Sequence, residues 1–153
     1  MRLAEALILR ADAQKRIEQL KQRLLRNAKV QEGDAPAENP GDLIQEFERV
    51  SVDLIRLIQQ INRTNVATPL AAGATVSDAL ALRDVLATQH AVFRDLAATA
   101  TIDQSRYSRS EVKFVSTVDV AAMQRRADDL ARQYRELDAA IQATNWSTDL
   151  LEE

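Results

Sequence analysis

The sequence predicts an all-α fold, four long antiparallel amphipathic helices packed as a bundle, and three observations carry that expectation. Glycine and proline number only three each in 153 residues, too few breakers for a turn-rich sheet protein. Between the breakers, Ala, Leu, Arg, Gln and Glu dominate, all strong helix formers. Apolar residues then recur at steps of three and four over four long stretches, the spacing that gathers them on one side of a helix.

The first helix is expected from about Leu3 to Asn27. Leu3, Ala6, Leu7, Ala13, Ile17, Leu20 and Leu24 share one side, and most of the basic residues fall on the other. Asp12 with Arg16, and Glu18 with Lys21, have the spacing of surface ion pairs. Residues 29–41, with Gly33, Pro36 and Pro40, read as an acidic mobile loop. The second helix, about Asp42 to Asn62, has a heptad seam of Leu43, Phe47, Val50, Leu54, Leu57 and Ile61. Ile44, Ile55 and Ile58 widen that seam, so the helix needs more than one partner. It should close into Asn62-Arg63-Thr64-Asn65, followed by a linker with Pro69 and Gly73.

Thr75 begins the third helix, with Asp78 three residues on in a capping-box arrangement. That helix runs to about Ala98, with Leu82, Val85, Leu86, Val92, Phe93 and Leu96 as its apolar face. The loop 99–117 is the least helical part; Val112 and Phe114 alternate with Glu111 and Lys113, leaving room for a short extended or hairpin segment. The fourth helix, about Val118 to Ala143, is capped by Ser116 or Thr117. Its seam is Met123, Ala127, Leu130, Tyr134, Leu137 and Ile141, with Asp128 paired to Arg132. Asn145-Trp146 ends it, Trp146 closing the apolar end of the bundle, before a frayed tail, 147–153. One helical domain, 1–153, accommodates all of this.

Composition narrows the function. With no cysteine, thiolate metal sites, disulfides and Cys nucleophiles are excluded. The start, Met1 to Arg10, is interrupted by Glu5 and lacks a cleavage site, so no secretory signal is expected, and no stretch is long and apolar enough for a transmembrane segment. A cytoplasmic location follows as the expectation. A net charge of −3 and 4% aromatics argue against a nucleic-acid partner. Charge is nevertheless segregated: residues 1–30 carry eight bases against three acids, and residues 32–53 seven acids against one Arg. Packing of helix one against helix two explains that asymmetry.

The candidate ligand-binding residues form three clusters. Arg106-Tyr107-Ser108-Arg109-Ser110-Glu111 offers two guanidiniums and two serine hydroxyls that could hold a phosphate or carboxylate. Without a glycine-rich turn or a nearby base, the simpler reading is a loop pairing with acids at a helix or subunit contact. Asn62, Arg63, Thr64 and Asn65 could line a polar pocket, although such residues also suit a helix end. Asn145 and Trp146 complete the set. His90, the only histidine, has Leu86, Ala87, Phe93 and Arg94 one turn away and no local acid, and no Glu-x-x-His pair occurs, so neither a metal nor a cofactor is expected. In an up-and-down arrangement, 62–65 lies near Asn145, Trp146 and Met1, and 106–111 a helix length away.

Leu3-Ala4-Glu5-Ala6-Leu7, Leu24-Leu25-Arg26-Asn27-Ala28, Asn62-Arg63-Thr64-Asn65, Arg106-Tyr107-Ser108-Arg109-Ser110-Glu111 and Asn145-Trp146 together resemble the septicolysin-like family of bacterial proteins. The resemblance spans nearly the whole chain and implies a helical, oligomeric protein; the family name also implies a membrane-lytic activity. The function expected is a non-enzymatic cytoplasmic homo-oligomer. A small anionic-ligand or metal-binding protein or enzyme centred on Arg106–Glu111, and a membrane-lytic protein, are the alternatives.

Overall fold

The computed structural model describes residues 1–71, 73–102 and 113–152. The fold is all-α: α1 (Leu3–Arg26), α2 (Pro40–Ala67), α3 (Val76–Ala100) and α4 (Val120–Ser147), with a small two-stranded sheet of β1 (Pro69–Ala71) and β2 (Ala74–Thr75) between α2 and α3. That sheet stands where a plain linker was expected. Gly73, at φ 84, lies between the strands in a left-handed conformation that glycine adopts without a Cβ clash. The hairpin expected within 99–117 falls mostly on residues outside those described; the described parts, 99–102 and 113–117, contain no strand.

The chain divides into two compact units. The first comprises residues 1–69 and 143–153 and the second residues 70–142. In the first, α1 and α2 run antiparallel, joined by Arg16 Nε to Glu46 Oε1 at 2.8 Å and by Arg23 with Glu38 ahead of α2. The segregated charge of the sequence is thus used where the two helices meet. Arg16 takes Glu46 rather than the expected Asp12, because the neighbouring helix offers a carboxylate with less exposure to water. Lys21 and Glu18 do pair, at 3.8 Å. The loop between the helices is tied down by Asn27: its Nδ2 donates to Arg23 O, and its Oδ1 accepts from Glu38 N. Asn39 then caps α2 by accepting from Gly41 N, with Pro40 at the first helical position, where its missing N–H is no loss.

Leu3, Ala6, Ile61 and Leu150 form the buried cluster of this unit, with Leu7 and Leu57 packed against it. The tail, expected to fray, is held. Leu3 N donates to Thr148 O, Leu150 N to Met1 O and Leu151 N to Thr64 Oγ1, and Leu150 is 7% exposed. Burial of Leu150, with the backbone bond from Leu151 N, anchors an otherwise acidic tail.

In the second unit, α3 opens with the expected capping box. Thr75 Oγ1 accepts from Asp78 N at 3.2 Å and Asp78 Oδ2 accepts from Thr75 N at 2.8 Å. α3 and α4 run antiparallel, as Arg83 Nη1 to Asp138 Oδ1 (3.0 Å) and the Arg126 guanidinium over the Phe93 ring (4.4 Å) establish. α4 starts two residues later than expected, and Asp119, not Ser116 or Thr117, caps it by accepting from Ala122 N. A carboxylate is the stronger acceptor at a helix N-terminus. Arg132 bonds Asp129 at 3.0 Å instead of Asp128. The seam of α4 faces inward as read, with Ala127 and Ile141 buried. The face of α3 does not: Val76, Ala79, Leu86 and Ala97 are buried, whereas Leu82, Val85 and Val92 are exposed.

Candidate functional site

Two places bear on the candidate residues: a junction of bonded polar groups and a cleft lined by polar side chains. The first is the junction of the chain termini with α2. Asn62-Arg63-Thr64-Asn65 was expected to end α2, yet the helix continues through it to Ala67, and Thr68 caps it. The physical reason is Thr64. It is 1% exposed, its hydroxyl donates to Gln60 O at 2.8 Å and accepts from Leu151 N at 3.0 Å, and burial against the tail keeps the helix wound. Asn62 and Arg63 are exposed and Asn65 is half-buried. Gln60 Nε2 donates to Glu152 O, and Arg2 bonds Ser147 O and Asp149. Residues 62–65 therefore do lie beside the C-terminal segment and Met1. The junction is occupied by the protein's own backbone, which makes it a structural clasp.

Asn145 is buried and Trp146 is 58% exposed, inside the last turn of α4 rather than after it. Trp146 does not close the apolar end; Leu150 fills the buried cluster of the first unit, while the indole, one residue on from the inward-facing Asn145, turns outward. The cluster Arg106-Tyr107-Ser108-Arg109-Ser110-Glu111 lies outside the described residues.

The second place is a cleft of about 230 Å³ between α3 and α4. His90 and Arg94 line it from α3, Thr101 from the cap that follows α3, Gln124 and Asp128 from α4, and the floor includes Ala97 and Ala127, both buried. The i, i+4, i+7 and i+11 spacing of His90, Arg94, Ala97 and Thr101 places them on one helix face. Gln124, Ala127 and Asp128 do the same on α4. Local sequence reading finds no acid near His90; Asp128 lines the same cleft only because α4 folds back along α3. Among the described residues no group of three His, Asp or Glu side chains converges as a metal site.

Shifted ionisation occurs elsewhere. Hydrogen bonds from the Thr75 backbone and then its hydroxyl hold the Asp78 carboxyl below the usual carboxylate range, and the Arg23 guanidinium does the same for Glu38. Both are structural, at a helix start and a loop clasp.

Among the described residues no helix is long and apolar enough to cross a membrane. No curated protein matches the chain. It is similar over 99% of both chains to a functionally unknown conserved protein from Corynebacterium diphtheriae, whose crystal structure it resembles with a TM-score of 0.94 at 47% identity. Residues 10–150 match the family of unknown function DUF6847, and the chain belongs to that family.

Proposed function

We propose that this protein is a non-enzymatic, cytoplasmic helical scaffold that works as a homo-oligomer, its copies joined through the uncovered sides of α2 and α3. One observation carries the reading: the apolar stripe along α3. Leu82, Val85, Val92 and Leu96 are 54%, 53%, 57% and 36% exposed. With Gln89 between them they form a heptad-spaced series that reads Leu-Val-Gln-Val-Leu in either direction. Such a stripe is complementary to itself when a second copy is related by a twofold axis near Gln89. The resemblance to septicolysin-like proteins agrees with an oligomer.

Covering the exposed half of an aliphatic side chain is worth about 1 kcal/mol. Four residues in each of two copies thus contribute about 8 kcal/mol, comparable to the roughly 4–15 kcal/mol cost of association. Further apolar surface is needed for a stable assembly. In the first unit α2 has its own uncovered side, with Ile44, Val52, Ile55 and Val66 each about half to two-thirds exposed.

Sedimentation at micromolar concentration is expected to give a species larger than the monomer, and Val85→Glu with Val92→Glu to shift it to monomer with helicity intact. Because the chain lacks cysteine, Gln89→Cys adds a single thiol, expected to form a disulfide-linked dimer under mild oxidation. A wild-type monomer throughout overturns the proposal.

A further inference from the structure

We propose that the cleft between α3 and α4 binds a small α-amino acid as its zwitterion. The walls carry opposite charges, Arg94 on α3 and Asp128 on α4, over a floor of alanine. Asp128 is unspent: the arginine one turn on, Arg132, is bonded to Asp129, and Asp128 has no ion-pair partner among the described residues. Arg94 gives its Nε to Asp95 at 2.9 Å and keeps both terminal nitrogens for another acceptor. His90 and Gln124 add an imidazole and an amide, neither engaged in a hydrogen bond among the described residues. A few polar groups around a concave apolar floor suit a ligand site.

Charge and size select the ligand class. A simple anion meets Arg94 but is repelled by Asp128. A cation meets Asp128 but is repelled by Arg94, and a divalent metal finds only the His90 and Asp128 side chains as strong donors. A zwitterion satisfies both walls. Its carboxylate takes the terminal nitrogens of Arg94, its ammonium takes Asp128, and a small side chain rests on Ala97 and Ala127. At about 230 Å³ the space lies below the roughly 300–1,000 Å³ range of drug-sized sites, so the ligand must be correspondingly small.

The test is a titration of the ¹⁵N-labelled full chain followed by amide shifts, with glycine, L-alanine and L-serine as probes and acetate and methylammonium as matched halves. The expected result is saturable shifts centred on residues 90–101 and 124–128 for at least one amino acid, with acetate and methylammonium each at least about tenfold weaker. Asp128→Asn is expected to weaken the amino acid about tenfold or more while acetate binding is unchanged or improved, and Arg94→Gln to abolish both. Each variant is checked for wild-type amide dispersion, so that misfolding is not read as lost binding. Shifts absent at millimolar amino acid, shifts spread evenly over the chain, or equal affinity for acetate would overturn the proposal. This outcome is independent of oligomeric state, because every lining residue belongs to one unit of one chain.

Discussion

Leu150→Ala tests whether the C-terminal segment is a working part of the first unit. Leu150 is 7% exposed in a cluster with Leu3, Ala6 and Ile61. Shortening it removes three carbons, about 2.4 kcal/mol at about 0.8 kcal/mol per buried carbon. A residual cavity raises the loss toward 3–4 kcal/mol, within the range of about 2–5 kcal/mol for such changes in cores. A terminal segment has an escape that a central helix lacks. Once the loss exceeds the tail's own docking energy, the tail undocks and the stability loss stops growing. Urea unfolding is therefore paired with amide hydrogen exchange at Leu3 and Leu151, whose N–H groups donate to Thr148 O and Thr64 Oγ1. The expected outcome is a loss of about 2–4 kcal/mol, or a smaller loss with faster exchange at both amides. A loss below about 1 kcal/mol with both amides as protected as in wild type would refute the clasp.

Thr75→Ala removes the cap of α3 and is expected to cost about 1 kcal/mol in thermal unfolding, with the loss traced to α3 by exchange. The folded pKa values of Asp78 and Glu38 are depressed, so each contributes stability that is present above the unfolded carboxylate range and lost as pH falls through the depressed values. Melting temperature should fall on that acid side, and less steeply in Asp78→Asn; an identical acid slope in the variant would contradict it. Asp138→Ala strips the main partner from Arg83, whose side chain is 24% exposed and whose Nε is buried without a hydrogen bond. A loss of about 1–3 kcal/mol in urea is expected. Arg83→Met together with Asp138→Leu should recover most of it, because the double change also removes the orphaned Nε. A single variant as stable as wild type would refute the role of the pair.

Much of the helical layout was legible from local chemistry. The Thr75–Asp78 box, the inward seams of α2 and α4 and the charge match of α1 with α2 each depend on residues a turn apart or on the sign of a whole segment. Misreadings fell where partners are distant in sequence. Asn62-Arg63-Thr64-Asn65 has the composition of a helix end, and only the burial of Thr64 under Leu151 N carries α2 past it. Trp146 is the largest apolar residue near the C-terminus, yet Leu150 takes the buried place. The His90 cleft was invisible because its acid arrives from another helix.

The sequence by itself determined the fold class, four helices and the capping box of α3, because period, breakers and that box act within a few residues. Tertiary structure alone decided which side of α3 faces its neighbour, which carboxylate each arginine takes, and that the tail is a clasp. Those choices turn on burial and on contacts between residues as far apart as Thr64 and Leu151, and local pattern carries neither.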